Sequence, residues 1–324
     1  MRTPAVSVVL PVRDGARFLE AAVNSILGQS LRELELLVVD DGSRDETPAI
    51  LRRLAAADAR LRVLSGPPLG LVPALNRGLR EARAPLVARM DADDVAAPER
   101  LARQVAALEA APEVALLGTG WRVVRADGQP RRDVSPPTGS EAIRAALVRA
   151  NPIAHPTVIL RRAAVLGVGG YRPAFRLAED FDLWLRLAER HELRNLPEPL
   201  LDYREHAGQS AWQALEQRAL SEMGALAAAA RRRAGGADGA DGPGPVDRAL
   251  LRRLGVTAEA IRDGLLARAL GTAKDALRAE QFAAARAAVA LGLQQPGLRA
   301  RTRLHLWVLR LRAAHPWGRV SRGG

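Results

Sequence analysis

The sequence predicts an α/β fold, a doubly wound and mostly parallel sheet flanked by helices, followed by an all-α extension. Three observations carry this. In the first third of the chain, short apolar runs alternate with stretches of helical periodicity, giving β-α-β-α-β-α-β. Aspartates fall where those apolar runs end, which is where ligands bind in an open parallel sheet. From Trp212 onward, alanine, leucine and arginine dominate at helical spacing. The expected organisation is an α/β domain over 1–214, a helix and Gly/Pro/Asp-rich linker over 215–245, and a basic helical region over 246–324.

Each element has its own signal. Val6 to Leu10 is a continuous apolar run of the buried parallel-strand type, ended by Pro11-Val12-Arg13-Asp14-Gly15. Phe18, Leu19, Ala22, Val23, Ile26 and Leu27 repeat as one helical face, with Asp14 or Gly15 near the N-cap. Leu34 to Val39 is the second strand and ends in Asp40-Asp41-Gly42-Ser43. Ser43 with Glu46 reads as a capping box, and Pro48 opens the helix through Leu51 and Leu54. Leu61 to Leu64 is a strand, Val72 to Ala82 a helix, and Leu86-Val87-Ala88 the fourth strand. Right-handed crossovers bring the four strand ends to one edge. Further on come a helix over 98–110, a strand over 114–117, a turn at Asp127-Gly128, a helix over 140–148 and a strand over 158–160. Residues 167–173 form a glycine-bearing loop, a helix carries Phe181, Trp184 and Leu185, and 200–203 is a last strand. The tail reads as helices over 215–233, 248–254, 258–270, 274–291 and 298–313.

Composition narrows the function classes. The chain has 324 residues, 48% hydrophobic and 26% charged, ordinary values for a globular protein. It has no cysteine, which excludes a disulfide framework and thiolate chemistry and fits a reducing compartment. No apolar run approaches the ~18 residues of a spanning helix, and Met1 to Leu10 is too short for a secretory signal. The expectation is a cytoplasmic protein. The net charge of +12 is uneven: residues 1–214 carry 29 basic and 27 acidic side chains, residues 215–324 carry 19 and 9. In the tail, arginines interleave with Leu304, Leu306, Trp307, Val308, Leu309 and Leu311. That pattern suits packing on the protein itself or a peripheral contact with the inner face of an anionic membrane. It carries no recognised nucleic-acid motif, and no nucleic-acid partner is expected.

The chemistry concentrates at Arg89-Met90-Asp91-Ala92-Asp93-Asp94, immediately after the fourth strand. Asp91 and Asp93 are two apart, so in extended backbone their side chains share a side. Mg²⁺ suits them, since it takes one or two carboxylates and completes its shell with water and substrate phosphates. There is no G-x-G-x-x-G after the first strand and no P-loop, so a nucleotide has to be held by acidic side chains and a metal. Asp180 stands at a helix N-terminus, where capping is its ordinary role and the helix dipole favours its ionised form. His155 and His206 lack zinc-ligand spacing.

Several motifs then line up in order. Ser7 to Asp14, Val39-Asp40-Asp41-Gly42-Ser43, Ala88 to Asp94 and Pro98-Glu99-Arg100-Leu101 resemble glycosyltransferase family 2. So do Asn151 to Thr157, Glu179-Asp180-Phe181-Asp182-Leu183-Trp184 and Tyr203-Arg204-Glu205-His206. The resemblance covers about residues 5–210 and implies a GT-A fold and transfer of a sugar from a nucleotide-diphosphate donor, with inversion, to a hydroxyl on a glycan or lipid-linked acceptor. Carried over, Pro11, Val12 and Arg13 line the nucleotide, and Asp40 or Asp41 accepts from the base. Asp91 and Ala92 lie along the nucleotide, and Asp91 and Asp93 form the D-x-D pair on Mg²⁺ or Mn²⁺. Asp180 matches the catalytic base with Glu179 beside it, and His155 faces the acceptor. The Q-x-x-R-W motif and membrane spans of processive members are absent, which argues against a polymerising synthase. The resemblance also implies work on a cell-surface polysaccharide or glycolipid. Two other classes remain: a sugar-nucleotide pyrophosphorylase, which needs a glycine- and lysine-rich loop not found at Pro11 to Gly15, and a non-catalytic scaffold docked by its basic tail.

Overall fold

A computed structural model describes residues 3–206, 214–240, 242 and 244–314. Trp212, where the composition changes, and Asp241 and Pro243 of the linker lie outside the described residues. Contacts divide the chain into two units, Met1–Arg172 with Asp180–Arg204, and Pro173–Glu179 with Glu205–Gly324.

The first unit begins with β1 (Val6–Val12), α1 (Ala16–Leu27), β2 (Leu34–Asp40), α2 (Thr47–Ala57), β3 (Leu61–Ser65), α3 (Leu71–Glu81) and β4 (Leu86–Arg89). β5 (Val95–Ala96), α4 (Arg100–Glu109), β6 (Val114–Arg125), β7 (Pro130–Val134) and α5 (Ser140–Leu147) follow. β8 (Ile159–Arg161), α6 (Arg162–Gly167), α7 (Glu179–Ala188) and β9 (Glu192–Glu205) complete it, except that Glu179 and Glu205 group with the second unit. Among the described residues the strands form one nine-stranded sheet of order β3-β2-β1-β4-β8-β6-β9-β5, with β7 on β6. The first four strands are parallel, as the alternation of apolar runs with helical stretches predicts. β8 pairs antiparallel with β4 and β6, β7 with β6, and β5 with β9. The sheet is therefore mixed, its parallel part confined to the first third of the chain. β1 is central to that part, every residue buried, and Val6, Val8, Leu10 and Val12 join Leu19, Val23 and Ile26 of α1 in the main core.

Several local expectations are corrected. Ser43 and Glu46 form no capping box: Glu46 is the N-cap of α2 and makes no side-chain cap. The Ser43 hydroxyl instead accepts from the Asp14 N–H at 2.9 Å. The β2–α2 loop caps the other helix. Thr47 Oγ1 accepts from Gly15 N at 3.0 Å and Asp45 Oδ2 from Ala16 N at 3.0 Å, while Asp14 Oδ1 accepts from Arg44 N at 2.7 Å. The Gly15 and Ala16 N–H groups that open α1 are thus satisfied across some thirty residues of sequence. The strand predicted over 114–117 is the start of the much longer β6, and that over 200–203 lies near the end of the much longer β9. Pro197 and Pro199 disguised β9, because proline in a run reads against a strand. Gly120 lets β9 approach, since a Cβ there would lie 2.5 Å from the Pro197 carbonyl oxygen.

The second unit is helical: α8 (Leu215–Arg233), α9 (Arg248–Arg253), α10 (Ala258–Arg278), α11 (Phe282–Leu293) and α12 (Ala300–Ala314). The break expected between residues 270 and 274 does not occur; α10 runs through Gly271, and Ala269, Ala273 and Ala276 bury its face. Burial outweighs the ~1 kcal/mol disfavour of a mid-helix glycine. The chain turns instead at Glu280, in a left-handed conformation (φ 61°), with Gln281 N–H bonded back to the Ala276 carbonyl at 2.7 Å. Ala273, Ala288, Val289, Leu306 and Leu309 form the core between α10, α11 and α12. Among the described residues, no helix is long and apolar enough to cross a membrane.

Candidate active site

Strand register assembles the site. Val12 at the end of β1 pairs with Asp40 at the end of β2, and Val9 with Arg89 at the end of β4. The carboxyl ends of three adjacent strands therefore present Pro11-Val12-Arg13, Asp40-Asp41 and Asp91 to Asp94 side by side, at the position where open α/β sheets bind ligands. Gly15 keeps them close: a Cβ there would sit 2.6 Å from Val12 Cγ2 and 3.7 Å from Ala92 Cβ.

Asp40 is buried, and its Oδ1 accepts from Ser43 N at 3.0 Å. Both oxygens of Asp41 take backbone N–H groups, Leu69 at 2.7 Å and Gly70 at 2.9 Å, so this carboxylate organises the loop before α3. Gly42, which follows them, has φ 73°, and a Cβ there would lie 2.8 Å from Pro68 Cδ. Arg13 is half exposed, with Asp14 4.0 Å away.

Asp91, Asp93 and Asp94 each offer an oxygen, and these atoms lie within 4.8 Å of one another. Arg89, buried, pairs with Asp91. Asp94 accepts from Arg204 N at 2.8 Å through Oδ1, while its Oδ2 is buried without a hydrogen-bond partner. Burial and the neighbouring charges of Asp91 and Asp93 push the Asp94 carboxyl well above the usual range. Asp91 is raised by its crowded setting and by Asp93, against the pull of Arg89. Three clustered carboxylates, one with an orphaned oxygen, suit a hard divalent cation such as Mg²⁺ or Mn²⁺.

Two arginines hold this turn, and neither could be assigned from sequence. Arg204, at the end of β9, donates through Nε to the Asp93 carbonyl at 2.9 Å and stacks 4.9 Å over the Phe18 ring. Arg100, fully buried, donates to the Arg89 carbonyl at 3.0 Å and to Gln104 Oε1 at 3.2 Å. Burial lowers its pKa to about 9, which keeps it charged at neutral pH.

His155 lies in a short 3₁₀ turn over 155–157, beside the end of β4, where Arg89 N donates to the Val158 carbonyl at 3.0 Å. Its Nε2 is 2.8 Å from Tyr171 Oη, and its ring meets Trp184 of α7 edge-on at 5.7 Å. Burial, and then the charge of Arg89, hold its pKa well below the ordinary value, so it is neutral at pH 7. Asp180 is the second residue of α7; its Oδ2 accepts from Asn151 Nδ2 at 2.8 Å and its Oδ1 from Phe181 N at 2.7 Å. Glu179, which begins α7, is buried. The structure thus gathers the β1, β2 and β4 residues around the aspartates and ties Asp180 to the segment that carries His155. α7 is anchored by Asp182, fully buried between Arg172 and Arg186, with Arg186 also donating to the Gly170 carbonyl at 2.7 Å.

A parallel nucleotide-type half whose strand ends meet a D-x-D cluster, continued by an antiparallel half, defines a glycosyltransferase of the GT-A fold. The sequence model described as "Glycosyl transferase family 2" matches residues 7–168. The chain is 34% identical over 207 residues to the putative glycosyltransferase EpsE of Bacillus subtilis, covering 62% of this chain and 73% of that protein. It is 31% identical over 205 residues to the O-antigen biosynthesis glycosyltransferase WbnJ of Escherichia coli, covering 62% and 80%. In fold it is similar to the mannosyltransferase PcManGT of Pyrobaculum calidifontis, solved in complex with GDP-Man and Mn²⁺, with a TM-score of 0.55 at 23% identity over 98% of this chain and 89% of that one. The protein belongs to glycosyl transferase family 2, which leaves no place for the pyrophosphorylase or scaffold readings.

Proposed function

We propose that this enzyme transfers a sugar, with inversion and in a metal-dependent reaction, from a nucleoside diphosphate donor to a hydroxyl of a glycan or lipid-linked acceptor. Its setting in this reading is cell-surface polysaccharide or glycolipid synthesis at the cytoplasmic side of the membrane. The observation that carries the reading is the Asp91, Asp93 and Asp94 cluster at the carboxyl end of β4, beside the end of β1. The relatives named for O-antigen synthesis and the neighbour bound to GDP-Man and Mn²⁺ support it.

In this reading Pro11, Val12 and Arg13 line the nucleotide, and Asp40 or Asp41 accepts from the base. Asp91 and Ala92 lie along the donor, and Asp91 and Asp93 hold the ion. Mg²⁺ or Mn²⁺, when bound there, supplies Lewis-acid neutralisation of the departing diphosphate. Arg204 and Arg100 fix the turn that carries the ligands. The acceptor oxygen attacks the anomeric carbon from the face opposite the diphosphate. The bond to the diphosphate breaks with its electron pair leaving on the phosphate oxygen, and Asp180 takes the acceptor proton. Neutral His155, fixed by Tyr171 and Trp184, shapes the acceptor side, and Glu179 flanks the base.

Asp180→Asn tests the base. Transfer should fall by about a thousandfold, within the range for removal of a general base, while nucleoside diphosphate binding by calorimetry stays at the wild-type level. Wild-type turnover in the variant overturns the assignment of the base. A screen of nucleotide sugars in which none releases nucleoside diphosphate in a metal-dependent way overturns the reading as a whole.

A further inference from the structure

Four of the eight large apolar side chains exposed among the described residues lie on α12: Leu304 (65% exposed), Trp307 (47%), Val308 (41%) and Leu311 (57%). Their spacing of three and four residues makes one continuous stripe along a helix of roughly 3.6 residues per turn. The opposite face of the same helix, Leu306, Leu309 and Ala313, is already buried. Leu306 and Leu309 belong to the core shared with α10 and α11. The outer stripe is therefore additional to what packing needs, and α12 is apolar on two faces.

The borders of the stripe are cationic. On the same helical geometry, Arg301 and Arg312 fall along one edge, and Arg303 and Arg310 along the other. All four are exposed, and the Arg310 guanidinium lies 4.9 Å over the Trp307 ring. From Gln281 to Gly324 the sequence contains eight arginines and no acidic residue. An apolar ridge with a tryptophan, edged on both sides by long cationic side chains, matches the layering of a lipid interface: acyl chains at the centre, anionic headgroups at the rim. A second copy of the helix would set the same arginines against each other, and a nucleic acid would leave the apolar ridge uncovered.

We infer that the outer face of α12 docks on an anionic phospholipid surface. The inference goes beyond the transfer reaction and stands independently of the catalytic assignments.

The full chain is sedimented with vesicles of phosphatidylcholine alone and with vesicles that also contain phosphatidylglycerol. Binding is expected only to the latter and should weaken with added salt. Each of Arg301→Gln and Arg312→Gln should lower the partition coefficient about fivefold. Leu304→Ser combined with Leu311→Ser should abolish sedimentation while circular dichroism and donor-dependent activity stay unchanged, because both side chains are exposed and remote in sequence from Asp91 to Asp180. Equal binding to both vesicle types, or none to either, overturns the inference. So does a double serine variant that binds like the wild type, which would mean charge attraction without the stripe. Stripe-dependent dimerisation in sedimentation velocity, with no vesicle binding, would assign the face to a second copy and overturn the lipid assignment.

Discussion

Loading the aspartate cluster with metal should raise the stability of the α/β unit measurably, even without donor. One carboxylate oxygen from each of Asp91, Asp93 and Asp94 lies within 4.8 Å of the others, and Asp94 Oδ2 is buried without a hydrogen-bond partner. Without a cation, burial and like charge disfavour the ionised forms of Asp94 and Asp91. Binding to the folded state alone adds RT ln(1 + [L]/Kd), about 2.7 kcal/mol at a hundredfold excess over Kd. For a unit of roughly 200 residues that corresponds to about 5–10 °C in Tm. The assay is thermal unfolding by circular dichroism in EDTA and in increasing MnCl₂. Asp93→Asn removes one of the proposed ligands and should raise the Mn²⁺ concentration for half-maximal shift by about tenfold or more. The sign with pH is fixed by the raised carboxyl pKa values. In EDTA the cluster penalises the folded state at neutral pH, and the penalty fades as pH falls and the groups take up protons. In Mn²⁺ the same protons compete with the metal, so the shift shrinks on acidification. Identical melting in EDTA and Mn²⁺, or a full shift in Asp93→Asn, refutes the reasoning.

Asp182→Asn leaves Arg172 and Arg186 buried without their carboxylate and should destabilise by about 3–5 kcal/mol in urea unfolding. Buried Glu35 accepts from Ser7 Oγ at 2.7 Å, Arg83 N at 2.8 Å and Arg62 Nη1 at 2.9 Å. Burial alone would raise its pKa, but these bonds outweigh it and hold the carboxyl below the ordinary glutamate range. Glu35→Gln should therefore destabilise by about 2 kcal/mol at pH 7. The difference from wild type should disappear as pH falls through the depressed folded pKa, read from paired denaturation curves. Gly42→Ala forces a left-handed alanine against Pro68 and should destabilise by about 2 kcal/mol, with weaker nucleoside diphosphate binding in calorimetry because the loop after β2 moves.

Local pattern alone established much of this protein. β1, β2 and β4 were legible because strands buried along their whole length are mostly apolar, β3 because Leu61, Val63 and Leu64 stand between two helical stretches, and the intervening helices because one stripe of each is apolar. The aspartate cluster was legible because Asp91, Asp93 and Asp94 fall within four residues, immediately after the apolar run that forms β4. Three-dimensional packing decided the rest. Asp94 meets Arg204 across 110 residues, the caps of α1 come from the next loop, and Arg100 is buried against a carbonyl instead of an acid. The length of β9, with its two prolines, depends on the partners it finds. Periodicity reports what each segment prefers to bury. Hydrogen-bond and charge partners are set by which segments the folded sheet makes adjacent, and that adjacency is a property of the assembled chain.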